Sequence, residues 1–195
     1  LPNIDYAARR MCNSGEIMTI IDGDDYLIGT QVFKMINARY QKEHLLALYT
    51  NHLRIHEPIY LKVGTCLDYP ERVKKTRSYR RYSIFPASHL RTFFVDLYWR
   101  INVRDLKDYK GEYFTAANDF AIMMPILEMA GERMSYMPEL TYVYDAGTGF
   151  NNFQTKADTQ ANNFKITKRR HKYPKIVHEL EFEKNLVARG LLKPK

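Results

Sequence analysis

The sequence predicts an α/β domain, and three observations carry that reading. Short apolar runs of strand length alternate with segments whose apolar residues recur at helical spacing. Glycine and proline punctuate the joints between them. The 195 residues are 45% hydrophobic and 27% charged, a globular composition that argues against disorder. A chain of this length has room for one domain with a single buried core.

The run from Glu16 to Ile21 suits a buried strand, and it stops abruptly at Asp22-Gly23-Asp24-Asp25. Gly29-Thr30 offers a helix start, because Val32, Phe33, Met35, Ile36 and Tyr40 follow at helical spacing to about Gln41. Leu45 to Ile55 is a second strand. Residues 57–86 read as loop, interrupted by Pro58, Gly64, Pro70 and Pro86. Ser88 to Phe94 is strand-like and runs into an amphipathic segment through Ile101, followed by a polar loop from Asn102 to Thr115. Asn118 to Ala130 reads as a helix, with Asn118 as its N-cap and Gly131 just past its end. Pro125 should kink that helix or delay its regular start. Met134–Met137 and Leu140–Tyr144 are two short strands around Pro138, and a closing helix is expected from about Tyr173 to Ala188.

Charge divides the chain unevenly. Residues 1–155 hold 19 Lys+Arg against 18 Asp+Glu, whereas residues 156–195 hold 11 against 4. The expectation is a near-neutral body over 1–155 and a basic, partly helical tail over 156–195. Within the body, Arg72, Lys74, Lys75, Arg77, Arg80 and Arg81 form a basic loop with no acid among them. Such segments are usually solvated faces and less often phosphate or nucleic-acid contacts. Cys12 and Cys66 are the only cysteines, too few for a disulfide-built domain or a thiolate metal site. With no run near 18 apolar residues and no signal-peptide pattern, the expected location is the cytoplasm, free or peripheral to a membrane.

The acidic cluster demands a cause. Two carboxylates about 4 Å apart repel by roughly 4 kcal/mol at an effective dielectric of 20. A divalent cation such as Mg²⁺ or Mn²⁺ reverses that sign, and Gly23 lets the backbone turn tightly around a ligand. An EF-hand fails on spacing: with Asp22 first, the fifth position is Tyr26 and the twelfth Phe33. A solvated acidic turn stays open. So does a haloacid-dehalogenase-like phosphatase, with Asp22 as nucleophile and Asp24 as acid/base.

The run Gly15-Glu16-Ile17-Met18-Thr19-Ile20-Ile21-Asp22-Gly23-Asp24-Asp25 resembles the strand and DxD motif of family 2 glycosyltransferases. Ser88-His89-Leu90-Arg91-Thr92-Phe93 resembles the strand that follows the family's variable acceptor region. Asn118-Asp119 falls where the family has a Glu-Asp pair at a helix start, and Leu127 to Gly131 with Tyr136 to Leu140 resembles its passage into the last strands. The likeness spans roughly Ala7 to Asn152. It implies a GT-A fold, a Rossmann-like mixed sheet flanked by helices, here lacking the family's upstream nucleobase-binding strands. It also implies inverting transfer of a sugar from a nucleotide donor, a UDP- or GDP-sugar, to the hydroxyl of a glycan or other acceptor. The same resemblance makes Asp119 the base, Asp22, Asp24 and Asp25 the ligands of Mn²⁺ or Mg²⁺, and Asp22 and Asp24 donor contacts, and it sets Asn118 beside the acceptor.

His89 and Arg91 alternate on one presumed strand and so share a face. Arg91 could pair with a donor phosphate, and His89 could contact the acceptor; a buried histidine and a structural ion pair are the plainer readings. Tyr26, Tyr79 and Tyr82 are loop candidates for stacking on a sugar. A binding protein for nucleic acid is the non-enzymatic alternative, with the 72–81 loop and the 165–175 segment on phosphates and Tyr79 and Tyr82 on bases. No recognised nucleic-acid module supports it.

Overall fold

The computed structural model describes residues 1–56, 60–64, 66–147, 156–178 and 180–194. Its strands are β1 (Ile17–Ile20), β2 (Tyr26–Leu27), β3 (Ala47–His56), β4 (Tyr60–Val63), β5 (Arg91–Phe94) and β6 (Met134–Asp145). Its helices are α1 (Pro2–Arg10), α2 (Val32–Glu43), α3 (Glu71–Thr76), α4 (Val95–Trp99), α5 (Asn118–Ala130), α6 (Ala157–Arg169) and α7 (Glu181–Ala188). The α/β class is as expected.

The six strands form one mixed sheet in the order β1-β5-β3-β6-β2, with β4 added to β3 beyond the reach of β5. β1 and β3 both run antiparallel to β5, and β6 runs parallel to β3. The C-terminal ends of β1, β3 and β6 therefore open on the same edge, where α/β sheets place their ligands. The start of β3 is apolar and fully buried at Ala47, Leu48 and Tyr49, as is Leu46 just before it; its second half turns polar at Asn51, His52 and Arg54. That change of composition separates the core from the site.

α5 is apolar on every side, and all residues from Phe120 to Ala130 are buried. A helix that is hydrophobic all round belongs inside the protein. It continues on both sides of Pro125. Its N-cap is Ala117, held in the left-handed region at φ 58°, so Asn118 is the first helical residue and not the expected cap.

Three stretches differ from expectation. Residues 57–86 are not loop throughout: they include β4, α3 and a 3-10 turn at Tyr79–Arg81. Each is too short to show a period, and Tyr69, Val73 and Tyr79 are buried beneath them. Met134 to Asp145 is one strand, because Pro138 lies where the register with β3 jumps from Tyr136 to Leu140. A proline fits such a break, where no ladder N–H is required. The helix expected from Tyr173 begins only at Glu181, while α6, whose buried face includes Asn163 and Thr167, gave little apolar signal.

The basic segments are tied to the body. Arg80 pairs with buried Glu128 at 2.7 Å, Arg77 donates to the carbonyls of Glu128 and Tyr173, and Lys74 meets Asp68 and Glu71. Arg170 donates to the carbonyls of Arg104 and Lys107, and Phe182 packs on Phe94 with ring centres 4.6 Å apart. Tyr79 is buried and offers no face for stacking on a base or a sugar. Among the described residues, no helix is long and apolar enough to cross a membrane.

Candidate functional site

A cleft of about 520 Å³ lies at the edge where β1, β3 and β6 end. Asp22, Gly23 and Asp24 enter it from the turn after β1; His52 and Arg54 from β3; Ser88, His89 and Arg91 from the start of β5; and Tyr144 from β6. The start of α5 closes it with Ala117, Asn118 and Asp119. The expected donor and acceptor contacts Asp22, Asp24, Arg91, His89 and Asn118 and the expected base Asp119 thus line one cavity, whereas Tyr26, Tyr79 and Tyr82 do not. Asp25 stands beside it, half-buried under β6.

Arg91 is the centre of its charge. Only 4% of its side chain is exposed, and its guanidinium lies 3.4 Å from the Asp22 carboxylate and 3.7 Å from that of Asp119. Its Nε is buried with no hydrogen-bond partner among the described residues. Expected as a phosphate contact, Arg91 here bridges two carboxylates from opposite sides of the cleft. Burial raises the Asp119 carboxyl above the usual aspartate range, against the pull of Arg91 and of the Phe120 amide. The helix dipole favours the ionised form at the same place. Burial outweighs both.

The three ligand-type groups that converge are Asp22, Asp25 and His89, whose ligand atoms all lie within 4.8 Å of one another. Asp24 lines the cleft outside that group. The Tyr142 hydroxyl donates to Asp25 at 2.5 Å and accepts from the Asp22 amide at 3.1 Å, and the Asp145 amide donates to the other Asp25 oxygen at 2.9 Å. Burial raises the Asp25 carboxyl, as do the charges of Asp22 and Asp24, while the two hydrogen bonds oppose the rise. A cation between these groups would remove the conflict. His89 brings a ring nitrogen to the same group, and its buried Nδ1 has no hydrogen-bond partner among the described residues.

His89 stacks on Tyr142 at 5.0 Å and on Tyr144 at 5.1 Å, and its edge meets His52 at 4.8 Å. Burial, then Arg91 and His52, hold it well below the ordinary histidine range, so it is neutral at physiological pH. His52 is pushed down to about 4, first by burial and then by Arg54 and Arg91. Its Nδ1 lies 3.4 Å from the sulfur of Cys66. Gly64 passes so close that a Cβ there would sit 2.2 Å from the His52 ring, which explains a glycine at this point of β4's exit.

Several of these residues escaped sequence reasoning. His52 and Arg54 alternate on β3, and Tyr142 and Tyr144 on β6, so period-two reading could have assigned each pair a common face. Gln160 reaches the cleft from α6, and nothing local signals it. Both cysteines are free. Glu128, the other acid of α5, is buried in its pair with Arg80 and lies outside the cleft, so it cannot act as a base there. No family model matches the chain, and no curated protein matches it.

Proposed function

We propose that this chain is the metal- and acceptor-binding part of a GT-A glycosyltransferase, moving a sugar from a nucleotide donor to a hydroxyl with inversion. The observation that carries the reading is one arrangement. A carboxylate turn at the C-terminal end of β1 faces a raised-pKa aspartate at a helix start, across a buried arginine.

Asp119 is suited to take the proton of an acceptor hydroxyl, because its environment makes it more basic than an exposed aspartate. Asn118, whose buried Oδ1 lacks a partner among the described residues, can accept a hydrogen bond from the same acceptor. Arg91 orients Asp119 and Asp22 across the cavity, and its cationic head lies where a donor phosphate would be attracted. Asp22, Asp24 and Asp25 supply the donor side with the carboxylates that Mn²⁺ or Mg²⁺ takes. Such an ion supplies Lewis-acid stabilisation of the charge that develops on a leaving diphosphate. Tyr142 and the Asp145 amide hold Asp25 in place for that task. The mixed sheet with its site at the parallel strand ends is compatible with a GT-A fold, and UDP- or GDP-sugars are the donors to try first.

The test is a nucleotide-sugar screen for binding and transfer with Mn²⁺, on the chain and on its Asp119→Asn and Asp24→Asn variants. Asp119→Asn should change donor affinity by less than about threefold and lower transfer by roughly 10²–10⁴, the worth of a positioned base. Asp24→Asn should weaken donor binding and transfer together. Near-normal transfer by Asp119→Asn would reduce Asp119 to a helix-start carboxylate. A stable beryllium fluoride adduct at Asp22 would favour the phosphatase instead.

A further inference from the structure

We propose that His89 is the third protein ligand of a divalent ion seated between Asp22 and Asp25, and that Tyr142 is the residue that positions all three. The inference rests on the metal-dependent reading above and makes the site a mixed nitrogen–oxygen one, in place of the all-carboxylate set expected from the sequence.

Ligands about 2.0–2.2 Å from one ion lie roughly 3 Å apart when adjacent and about 4 Å apart when opposite. Ligand atoms of Asp22, Asp25 and His89 already lie within 4.8 Å of one another, so small rotamer adjustments would bring them onto one centre. Acidic groups gather on many surfaces with no ion between them, and the carboxylates alone would prove nothing. His89 is the independent observation. Its Nδ1 is buried and has no hydrogen-bond partner among the described residues, and a buried polar nitrogen left in that state requires a ligand or a water.

Tyr142 connects the three. Its hydroxyl donates to the Asp25 carboxylate and accepts from the Asp22 amide, while its ring stacks on His89 at an angle of 15°. Tyr144 makes a second stack on the same imidazole, at 23°. One side chain on β6 therefore sets the turn after β1, the carboxylate behind it and the ring on the loop into β5. Groups that orient metal ligands in this way are typically worth 10–100-fold in affinity.

An imidazole ligand changes which ion is taken. Mg²⁺ prefers oxygen and retains its waters, whereas Mn²⁺ and, more strongly, Co²⁺ accept nitrogen. The chain should therefore bind Co²⁺ more tightly than Mn²⁺, and both at least about tenfold more tightly than Mg²⁺.

Calorimetry with Mn²⁺, Co²⁺ and Mg²⁺, each alone and with UDP or GDP, measures this on the intact chain. Pulsed electron paramagnetic resonance of the Mn²⁺-loaded protein should show coupling to an imidazole nitrogen. His89→Phe keeps an aromatic ring in the stack; it should abolish that coupling and lower Mn²⁺ affinity at least about tenfold, with Mg²⁺ affected less than about threefold. Tyr142→Phe keeps both stacks and should weaken Mn²⁺ about 10–100-fold while the nitrogen coupling persists. If His89→Phe fails to fold, the wild-type nitrogen coupling and Tyr142→Phe still decide. Mn²⁺ binding without nitrogen coupling would overturn the role of His89 and leave the transferase reading standing. No binding of any ion, with or without nucleotide, would overturn both.

Discussion

Arg80 and Arg91 are both buried arginines paired with carboxylates, yet one network is closed and the other open. Arg80 directs Nε and Nη2 to the two oxygens of Glu128 at 2.7 and 2.9 Å, and Nη1 to the Thr167 carbonyl. Glu128 takes a further bond from the Tyr173 amide. The distances around Arg91 are longer, 3.4 and 3.7 Å, its Nε lacks a partner among the described residues, and Asp22 is half exposed. A buried ion pair offsets its desolvation only with close geometry and saturated hydrogen bonds. The pair on α5 meets that condition and fastens the basic loop and the C-terminal segment to the core. The cleft does not meet it, and unused bonding capacity facing a cavity is what a ligand site requires.

The sharpest way to break this contrast is to cut each network once. Glu128→Ala strands a buried guanidinium and should cost about 3–5 kcal/mol in urea unfolding. Asp22→Asn, at the exposed end of the open network, should change stability by less than about 1 kcal/mol while impairing nucleotide and metal binding. Equal losses in the two variants would make the cleft a structural network like the other.

A smaller effect is expected where the cleft meets the backbone. Gly64→Ala places a methyl against the His52 ring, which is packed in turn on His89 and cannot retreat without moving it. The strain should cost roughly 1–3 kcal/mol and carry into metal affinity through His89. A loss of stability with unchanged Mn²⁺ binding would show that His52 moves independently of the site.

The smallest effect has the more informative sign. The Asp119 carboxyl titrates above the ordinary aspartate range in the folded state. The stability linked to its proton is therefore complete below the ordinary aspartate pKa and is lost as pH rises through the raised folded value. Ionised Asp119 is then a net cost at neutral pH, so Asp119→Asn should raise the Tm at pH 7, by an amount that shrinks as the pH falls towards about 4. A variant that melts lower at pH 7 would mean that the attraction of Arg91 outweighs burial, and Asp119 would resemble Glu128 more than a base.

Apolar runs of strand length made β1 and β3 legible, helical spacing of apolar residues made α2 legible, and the residues at its two ends marked α5. Asp22, Asp24, Asp119, His89 and Arg91 were legible as cleft residues because a motif or a strand alternation marks them locally. The missed parts share the opposite property. β4 and α3 are too short to have a period, α6 buries polar residues, and Tyr142 gains its importance only from residues more than fifty positions away.

By itself the sequence determined that this chain forms an α/β domain with a carboxylate turn at a strand end and an aspartate at a helix start. Those are consequences of local pattern, which hydrophobic periodicity and backbone preference express within a few residues. Only the tertiary structure decided which carboxylates meet. It drew Asp25 and His89 to Asp22 and left Asp24 outside that group, set Arg91 between Asp22 and Asp119, and sealed Glu128 against Arg80. The physical reason is that charge, burial and ligand geometry act through space, and their outcome depends on which strands lie side by side in the sheet.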